Sequence, residues 1–290
     1  MKKLNNGSIK LAIQKSGRLT ESTLGLLKSA GLEFENYKQQ LFSSCWNFPL
    51  NIVYLRDNDI PDYVASGAVD LGIVGENIIL EQRNNISIQL KLGFGYCSLC
   101  LAVPKESLIN SSKELVGKKI ATSYPQFTKR YLNEKNINGE IVQINGSVEI
   151  APALQMADAV IDLVSSGSTL ALNDLRVIEK IFDSQAVLIK NKNLSKEKKI
   201  LAQKLLTRLN GALAAQNYKY VMMNAPASIL KTIQKIVPGL KSPTVSSLST
   251  KGWISIQTVI KEDTFWETIE KLKEAGATGI LVLPVEKLIL

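Results

Sequence analysis

The chain contains no histidine among its 290 residues. This absence excludes catalytic triads and general bases built on histidine, and every metal site with a histidine ligand. Only three cysteines are present, whereas a structural zinc site needs about four ligands. Cys97 and Cys100 lie in an apolar, strand-like run, and Cys45 is far from them in sequence. We therefore expect buried, unreactive thiols.

A long apolar segment is also missing, because no run approaches the roughly 20 residues that span a bilayer. Residues 1–8 have neither the apolar core nor the cleavage pattern of a signal peptide. We therefore expect a cytoplasmic protein that does not bind a membrane. The composition, 45% apolar and 21% charged, is typical of a globular protein, and the length suits two or three domains.

The net charge of +9 favours anionic partners. The lysines are scattered, however, and the one tight basic group is Lys196, Lys198 and Lys199. The sequence has no zinc-finger pattern, RNP-type aromatic signature or long basic run. Anionic metabolites are therefore favoured over nucleic acid.

Residues 157–170 carry the strongest motif. Residues 160–164 predict a buried parallel strand that contains Asp162. The loop that follows offers hydroxyls and glycine for a phosphate, in Ser165, Ser166, Gly167, Ser168 and Thr169. An acid beside such a loop can accept hydrogen bonds from sugar hydroxyls. The stretch predicts a sugar-phosphate site, although an ordinary strand and turn would have the same composition.

A basic turn follows the first predicted strand, residues 9–13, and leads into a helix at about residues 20–30. The helix N-terminus offers N–H groups and the positive end of a dipole, and Lys15 and Arg18 add full charges. This arrangement suits a polyphosphate. Two solvated basic residues at a turn are the alternative.

A short similarity links residues 65–72 to residues 157–164 and aligns Asp70 with Asp162. It suggests an internal repeat and two related α/β lobes. Ligands bind at the carboxyl ends of strands in such folds, so both strand exits would face a common cleft. We also predict a short helix at residues 149–156 and a long one at residues 196–217.

From residue 218 the pattern changes to strand, helix, two strands, helix and strand. This βαββαβ order is that of the ferredoxin-like fold. In this position it is typical of an appended regulatory module, and a structural or oligomerising module is the alternative.

Five segments in order resemble the long form of the ATP phosphoribosyltransferase family: residues 14–19, 70–77, 120–125, 145–149 and 158–170. The resemblance implies an α/β fold with a two-lobed core like that of periplasmic binding proteins and a C-terminal ferredoxin-like domain. It places one lobe at residues 1–101 with 186–217, the second at 102–185, and the regulatory domain at 218–290.

The same resemblance implies a pentosyltransferase that opens histidine biosynthesis. ATP and 5-phosphoribosyl 1-pyrophosphate would give N1-(5-phosphoribosyl)-ATP and pyrophosphate, assisted by Mg²⁺. Family members form dimers and hexamers and are inhibited by L-histidine and AMP. A non-catalytic two-lobed sensor of small molecules is the alternative, and it predicts binding without turnover.

We assign roles by motif. The expected catalytic residues are Glu149, Asp162, Lys15 and Arg18. The expected phosphoribosyl pyrophosphate site consists of Asp162, Ser165, Ser166, Gly167, Ser168, Thr169 and Tyr124. The expected nucleotide site consists of Lys15, Gly17, Arg18, Asp70 and Glu76. The expected histidine site consists of Asn224, Leu240, Ser242, Thr244 and Ala275.

Substrate oxygens would hold most of the Mg²⁺ coordination, with Glu149 and Asp162 as the side chains that could assist. Asn224 stands where the family carries Asp or His. The resemblance therefore predicts that histidine inhibits, but not how strongly.

Overall fold

The computed structural model describes residues 7–35, 41–82, 84–164 and 171–289, which divide into two compact units. The first unit contains residues 33–202 and the N-terminal segment up to residue 25. The second contains residues 203–290 and the segment 26–32. The predicted phosphate loop, residues 165–169, lies outside the described residues.

The first sheet of the first unit has the strand order β2-β3-β1-β4-β11-β5. Its strands are β1 (Ile9–Gln14), β2 (Phe42–Ser44), β3 (Leu50–Leu55), β4 (Leu71–Gly75), β5 (Ile86–Lys91) and β11 (Ala186–Asn191). β1 is parallel to β3 and β4, whereas β11 is antiparallel to β4 and β5. β4 is buried along its whole length, and β1 and β3 nearly so, as parallel strands covered on both faces are.

The second sheet has the order β10-β6-β9-β7-β8. Its strands are β6 (Cys97–Pro104), β7 (Lys119–Thr122), β8 (Glu140–Gln143), β9 (Ala159–Val164) and β10 (Leu175–Ser184). β7 is parallel to β8 and β9, and β6 is antiparallel to β9 and β10. Leu101, Ile120 and Ile161 are fully buried in its core. β6 runs across the domain boundary expected at residue 101.

The chain passes between the two sheets twice, at residues 92–96 and at Gln185. Hydrogen bonds tie these crossings together: Leu92 N donates to Ala186 O, and Ala186 N donates to Phe94 O, both at 2.9 Å. Gly93 N also donates to the Gln185 Oε1 atom at 3.1 Å. The two places where the chain crosses between the sheets are therefore adjacent and hydrogen-bonded to each other.

The helices described in this part of the chain include α1 (Thr20–Ser29), α2 (Ile60–Ala65), α3 (Glu76–Gln82), α4 (Pro125–Glu134) and α5 (Lys196–Gln216). The two-unit division falls within α1 and within α5. α2 packs tightly on β4, where a Cβ at Gly72 would lie 2.5 Å from the Ile60 Cγ2 atom. Ile60 and Val64 are fully buried in this contact, so glycine at position 72 permits the close approach of the helix.

Several short elements were not predicted. β2, α3 and β5 contain three to seven residues each, which is too few for a clear periodicity. The helix predicted at residues 149–156 is wrong, because Val148–Ile150 forms a single 3₁₀ turn and the chain then continues in turns. Pro152 has no N–H to donate, and Gln155 has a left-handed φ of 58°.

The second unit contains β12 (Tyr218–Pro226), α6 (Leu230–Ile236), β13 (Thr244–Ser247), β14 (Trp253–Lys261), α7 (Phe265–Glu274) and β15 (Thr278–Pro284). Its sheet is antiparallel, in the order β13-β14-β12-β15. Val221, Met223 and Ile256 from the strands form one core with Ile233 and Leu272 from the helices. The predicted ferredoxin-like arrangement is confirmed.

Among the described residues, no helix combines the length and the apolar character that crossing a membrane requires.

An aspartate holds the start of a central strand in each sheet. Lys10 N donates to Asp70 Oδ2 at 2.8 Å, and Asp70 N donates to Lys10 O at 3.0 Å. In the second sheet, Lys119 N donates to Asp158 Oδ2 at 2.8 Å, and Asp158 N donates to Lys119 O at 2.8 Å. The structural counterpart of Asp70 is therefore Asp158, and the sequence similarity that aligned Asp70 with Asp162 was in the wrong register.

We expect Asp70→Ala to destabilise the fold much more than Asp158→Ala does. The Asp70 side chain is 4% exposed and also binds Lys198 Nζ at 2.9 Å, whereas the Asp158 side chain is 43% exposed. Removing a buried partner leaves Lys198 and the Lys10 amide without their acceptor, at a cost of about 3 kcal/mol, against about 1 kcal/mol for Asp158. Guanidinium unfolding measures both changes, and equal midpoints for the two variants would contradict this ranking.

Candidate active site between the two sheets

The carboxyl edge of the first sheet gathers charged side chains from parallel strands. Lys15 follows β1, Arg56 follows β3 and Glu76 follows β4. Lys15 N donates to Leu55 O at 2.8 Å, which fixes the exits of β1 and β3 side by side. Lys15 and Glu76 were predicted here, whereas Arg56 was missed because no motif marks it.

The turn between β1 and α1 is shaped by Gln14. Its Oε1 accepts from Leu19 N at 3.0 Å, and its backbone carbonyl accepts from the Thr20 hydroxyl at 3.3 Å. Gly17 has a φ of 140°, and a Cβ there would lie 2.5 Å from the Gln14 Nε2 atom. A glycine is therefore required at position 17. The turn leaves the side chains of Lys15 and Arg18 exposed at the N-terminus of α1.

Arg18 also reaches the start of the second sheet. Its Nη2 atom lies 3.2 Å from the Cys97 sulfur, within hydrogen-bond distance. Cys97 is buried, as expected, and the contact sets the direction of the guanidinium group. The structure thus brings Arg18 to the side of the first sheet where the chain crosses to the second.

Asp162 lies near the carboxyl end of β9, beside the exit of β7. Its Oδ1 accepts from the Ser123 hydroxyl at 2.9 Å and from Leu163 N at 2.8 Å. Burial raises the pKa of Asp162, and the negative charge of Glu149 acts in the same direction, while the two hydrogen bonds oppose it. Both hydrogen bonds from described residues reach Oδ1, which leaves Oδ2 available to a ligand.

Glu149 lies in the 3₁₀ turn Val148–Ile150, which begins after Ser147. Ser147 is left-handed, with a φ of 50°. Val148 and Ala151, on either side of Glu149, are buried in one core cluster with Val160 of β9. The turn that carries Glu149 therefore packs against the strand that carries Asp162.

Tyr124 connects the second sheet to the first. Its phenolic oxygen accepts from Asn77 Nδ2 at 3.1 Å. Burial raises the pKa of Tyr124, and the carboxylate of Asp162 raises it further, so the phenol keeps its proton at neutral pH. Tyr124 can therefore donate a hydrogen bond beside the site of Asp162.

Asn77 was not predicted as a site residue. It is buried, and its backbone N–H donates to the Ser184 hydroxyl at 3.1 Å. The Ser184 hydroxyl donates in turn to Asn77 Oδ1 at 3.0 Å. The amide group is thereby held in one orientation toward Tyr124. Its position directly after the Gly75-Glu76 exit of β4 is the signal that could have identified it.

Glu76 begins α3 at the same exit. Its side chain is 13% exposed and forms an ion pair with Lys91 at 3.5 Å. The Glu76 Oε2 atom is buried and has no hydrogen-bond partner among the described residues. An acceptor with spare capacity at this position suits a ligand that carries hydroxyl or amino groups.

Asp70 lies at the amino end of β4, opposite to Glu76 along the strand. Its carboxylate is buried and is engaged by Lys10 N and Lys198 Nζ. The structure therefore does not bring Asp70 together with Lys15, Gly17 and Glu76, and we do not retain it in the nucleotide site.

The residues predicted for the histidine site fall into separate places within the second unit. Asn224 is on β12 and Thr244 on β13, with β14 between the two strands. Leu240 and Ser242 precede β13, and Ala275 follows α7. Asn224 O accepts from the Thr278 hydroxyl at 3.4 Å. The five residues therefore lie on different elements and loops of the second unit, and their assignment to one histidine site stays a prediction.

The described residues contain no group of three or more cysteine, aspartate or glutamate side chains arranged to hold a metal ion. Asp162 and Glu149 remain the two carboxylates that the sequence predicts could assist a metal ion. A metal bound there would need further oxygen ligands from a substrate.

Two family models match the chain. The model described as ATP phosphoribosyltransferase matches residues 56–211, and the model described as the HisG C-terminal domain matches residues 215–287. The two matches meet at the end of α5, so the second covers the ferredoxin-like domain.

Curated relatives are similar over nearly their whole length. The ATP phosphoribosyltransferase of Cytophaga hutchinsonii is 48% identical over 281 residues, which cover 97% of this chain and 98% of the relative. That of Phocaeicola vulgatus is 48% identical over 282 residues, which cover 97% of this chain and all of the relative.

Among solved structures, a chain of the ATP phosphoribosyl transferase (HisG:HisZ) complex from Thermotoga maritima is similar, with a TM-score of 0.61 and 28% identity. The match covers 95% of that chain but 69% of this one. This chain therefore has a C-terminal domain in addition to the matched core. The chain belongs to the ATP phosphoribosyltransferase family, in its long form.

Proposed function

We propose that the cleft between the carboxyl edges of the two sheets is where the family's reaction takes place. The second sheet would hold 5-phosphoribosyl 1-pyrophosphate, and the first sheet would hold ATP. The observation that carries the proposal is the environment of Asp162. A partly buried carboxylate, on a strand against which the turn of Glu149 packs, accepts a hydrogen bond from Ser123, and the residue after Ser123 is a tyrosine that reaches across to the first sheet.

The lone pair of adenine N1 forms a bond to C1 of the ribose while the bond from C1 to the pyrophosphate oxygen breaks. The electron pair of that bond leaves with pyrophosphate, and N1-(5-phosphoribosyl)-ATP forms with inversion at C1. Adenine N1 is unprotonated at neutral pH, so attack needs no strong base. This chemistry is compatible with a chain that has no histidine.

Fixed charges would lower the barrier at both ends of the reacting bond. Positive charge develops at C1, where Asp162 and Glu149 are negative. Negative charge develops on the leaving pyrophosphate, where Lys15 and Arg18 are positive. Charges that are already fixed at these positions stabilise the transition state without any reorganisation during the reaction. Orientation of the two bound substrates contributes a further term, up to about 7–11 kcal/mol in favourable systems.

The 5-phosphate is assigned to Ser165, Ser166, Gly167, Ser168 and Thr169. This assignment rests on the sequence, since these residues lie outside the described part of the chain. Their place in the chain supports it, because they directly follow β9 and Asp162. Tyr124, at the neighbouring exit of β7, would pack beside the sugar phosphate.

Mg²⁺ fits this site as a partner of the substrate. Oδ2 of Asp162 accepts no hydrogen bond from a described residue, and the turn that carries Glu149 packs against β9. These two carboxylates would complete a coordination shell supplied mainly by substrate oxygens. When bound, the ion would neutralise pyrophosphate charge.

The family resemblance supports L-histidine and AMP as inhibitors and a homo-oligomer of two or six chains. We place the reaction in the cytoplasm. In the described residues the three cysteines form no disulfide, which is usual in that compartment.

We expect Asp162→Asn to keep the fold and to lower turnover more than tenfold, or by more than about 1.4 kcal/mol, because it removes charge beside C1. An absorbance assay with ATP, 5-phosphoribosyl 1-pyrophosphate and Mg²⁺, each omitted in turn, measures the effect. Asp158→Asn is the matched control, since Asp158 lies at the amino end of the same strand. Normal turnover by Asp162→Asn would remove Asp162 from the site, and binding without turnover by the parent would favour the sensor.

We also expect the acid limb of the kcat/KM profile to move to lower pH in Glu149→Gln. The charge of Glu149 raises the pKa of Asp162, so its removal lets Asp162 stay ionised in more acidic solution. The raised pKa means that the folded state favours the protonated form of Asp162 over the ionised form. The buried carboxylate therefore lowers the free energy of unfolding at pH values above the folded pKa. This cost disappears as the pH falls through the folded pKa towards the ordinary pKa of an aspartate. The pH profiles of the variant and the parent are measured with the same substrates, so that the titration of the substrates affects both equally. If the acid limbs of the two profiles coincide, Glu149 does not influence the ionisation of Asp162.

L-Histidine should inhibit the parent enzyme, and Ser242→Ala and Thr244→Ala should each raise the inhibitory concentration about tenfold, equivalent to about 1.4 kcal/mol. Both side chains offer hydroxyls that can bind an amino acid. Ser247→Ala, at the other end of the exposed strand β13, is the control. Full activity of the parent in millimolar histidine would overturn the regulatory assignment.

A further inference from the structure

The N-terminus of α4 is capped by a side chain of α3, the helix that follows β4 of the first sheet. The Gln126 and Phe127 N–H groups donate to Oε1 and Oε2 of Glu81, at 2.9 and 2.8 Å. Tyr124, the local N-cap residue, makes no side-chain cap hydrogen bond. Free N–H groups at a helix start require a partner, and a carboxylate also interacts favourably with the helix dipole. Glu81 supplies both from α3, which follows the first sheet.

Two other contacts join the same pair of helices. The Arg130 guanidinium donates to Leu80 O, and Asn77 Nδ2 donates to the Tyr124 phenol at 3.1 Å. Asn77 and Glu81 are four residues apart, so they lie on one face of α3. These contacts hold α3 of the first sheet against the start of α4 in the second, at the mouth of the proposed active site.

We propose that Glu81 is a positioning residue that latches the two sheets in the arrangement competent for phosphoribosyl transfer. The inference rests on the proposed function, because α4 starts directly after Tyr124. When the latch is closed, Tyr124 is held between Asn77 and the Asp162 side of the cleft. Glu81 does not touch the reacting atoms but acts through the α4 N-terminus.

The latch makes a prediction about the form of the kinetic defect. If only a fraction of the enzyme is closed, the apparent affinity for a substrate that needs the closed state falls by that fraction. Bound substrates can still close the cleft, so the maximal rate is largely preserved. A loss of folded protein would instead lower kcat and leave KM unchanged.

We expect Glu81→Ala to raise the KM for 5-phosphoribosyl 1-pyrophosphate about five- to tenfold, with kcat within about twofold of the parent. Glu81→Gln keeps one oxygen acceptor for an N–H group, so its KM should lie between the KM of the parent and that of Glu81→Ala. Glu134→Gln is the control, because it removes a negative charge from the exposed C-terminal end of α4, away from the capped N-terminus. It should leave both constants unchanged.

Hydrogen exchange tests the latch without activity. The peptide containing Gln126 and Phe127 should exchange faster in Glu81→Ala than in the parent or in Glu134→Gln. Unchanged exchange together with an unchanged KM would overturn the proposal. If the parent protein shows no turnover, the proposed function is refuted but the latch is not. Hydrogen exchange at the N-terminus of α4 would still test the latch.

Discussion

Two adjacent crossings of the chain, at residues 92–96 and at Gln185, constrain how the first unit can be built. They place the exit of β4 next to the ends of the second sheet, where Glu76 N donates to Gln185 O and Asn77 N donates to Ser184. Residues separated by long stretches of chain can then meet, as Asn77 and Tyr124 do. The candidate site follows from this geometry, because Asn77 after β4 and Tyr124 after β7 meet there.

In the proposed site the cations Lys15 and Arg18 lie in the turn after β1, whereas Asp162 lies on β9 beside Ser123. Glu76, at the exit of β4, adds an acid on the side of the first sheet. A displacement at an anomeric carbon needs charges of both signs, since positive charge develops at carbon while negative charge leaves with pyrophosphate. Under the proposed function, a histidine-free chain would position and polarise both reactants with lysine, arginine and carboxylates. The partly buried setting of Asp162 strengthens these interactions, because screening by water is reduced there.

The ferredoxin-like order and the roles of β1, β7 and β9 in the sheets could be predicted, because they depend on local periodicity and turn residues. Asp70 could not be assigned correctly, since an apolar strand after an acid has the same pattern whether the acid faces a ligand or caps the neighbouring strand. Asp158 performs that structural task in the second sheet. Glu81 and Asn77 were missed because their partners are far away in sequence, and α3 is too short to show a helical pattern.

The paired crossings also have a consequence for flexibility. If one sheet of the first unit rotates against the other, we expect the chain to bend at residues 92–96 and at Gln185, where Leu92 and Ala186 are joined by a hydrogen bond. Such a rotation would also break the contacts that Glu81 and Asn77 make across the two sheets. A distance measured by spin labels between β2 and β8, which lie at an edge of each sheet, would follow the rotation.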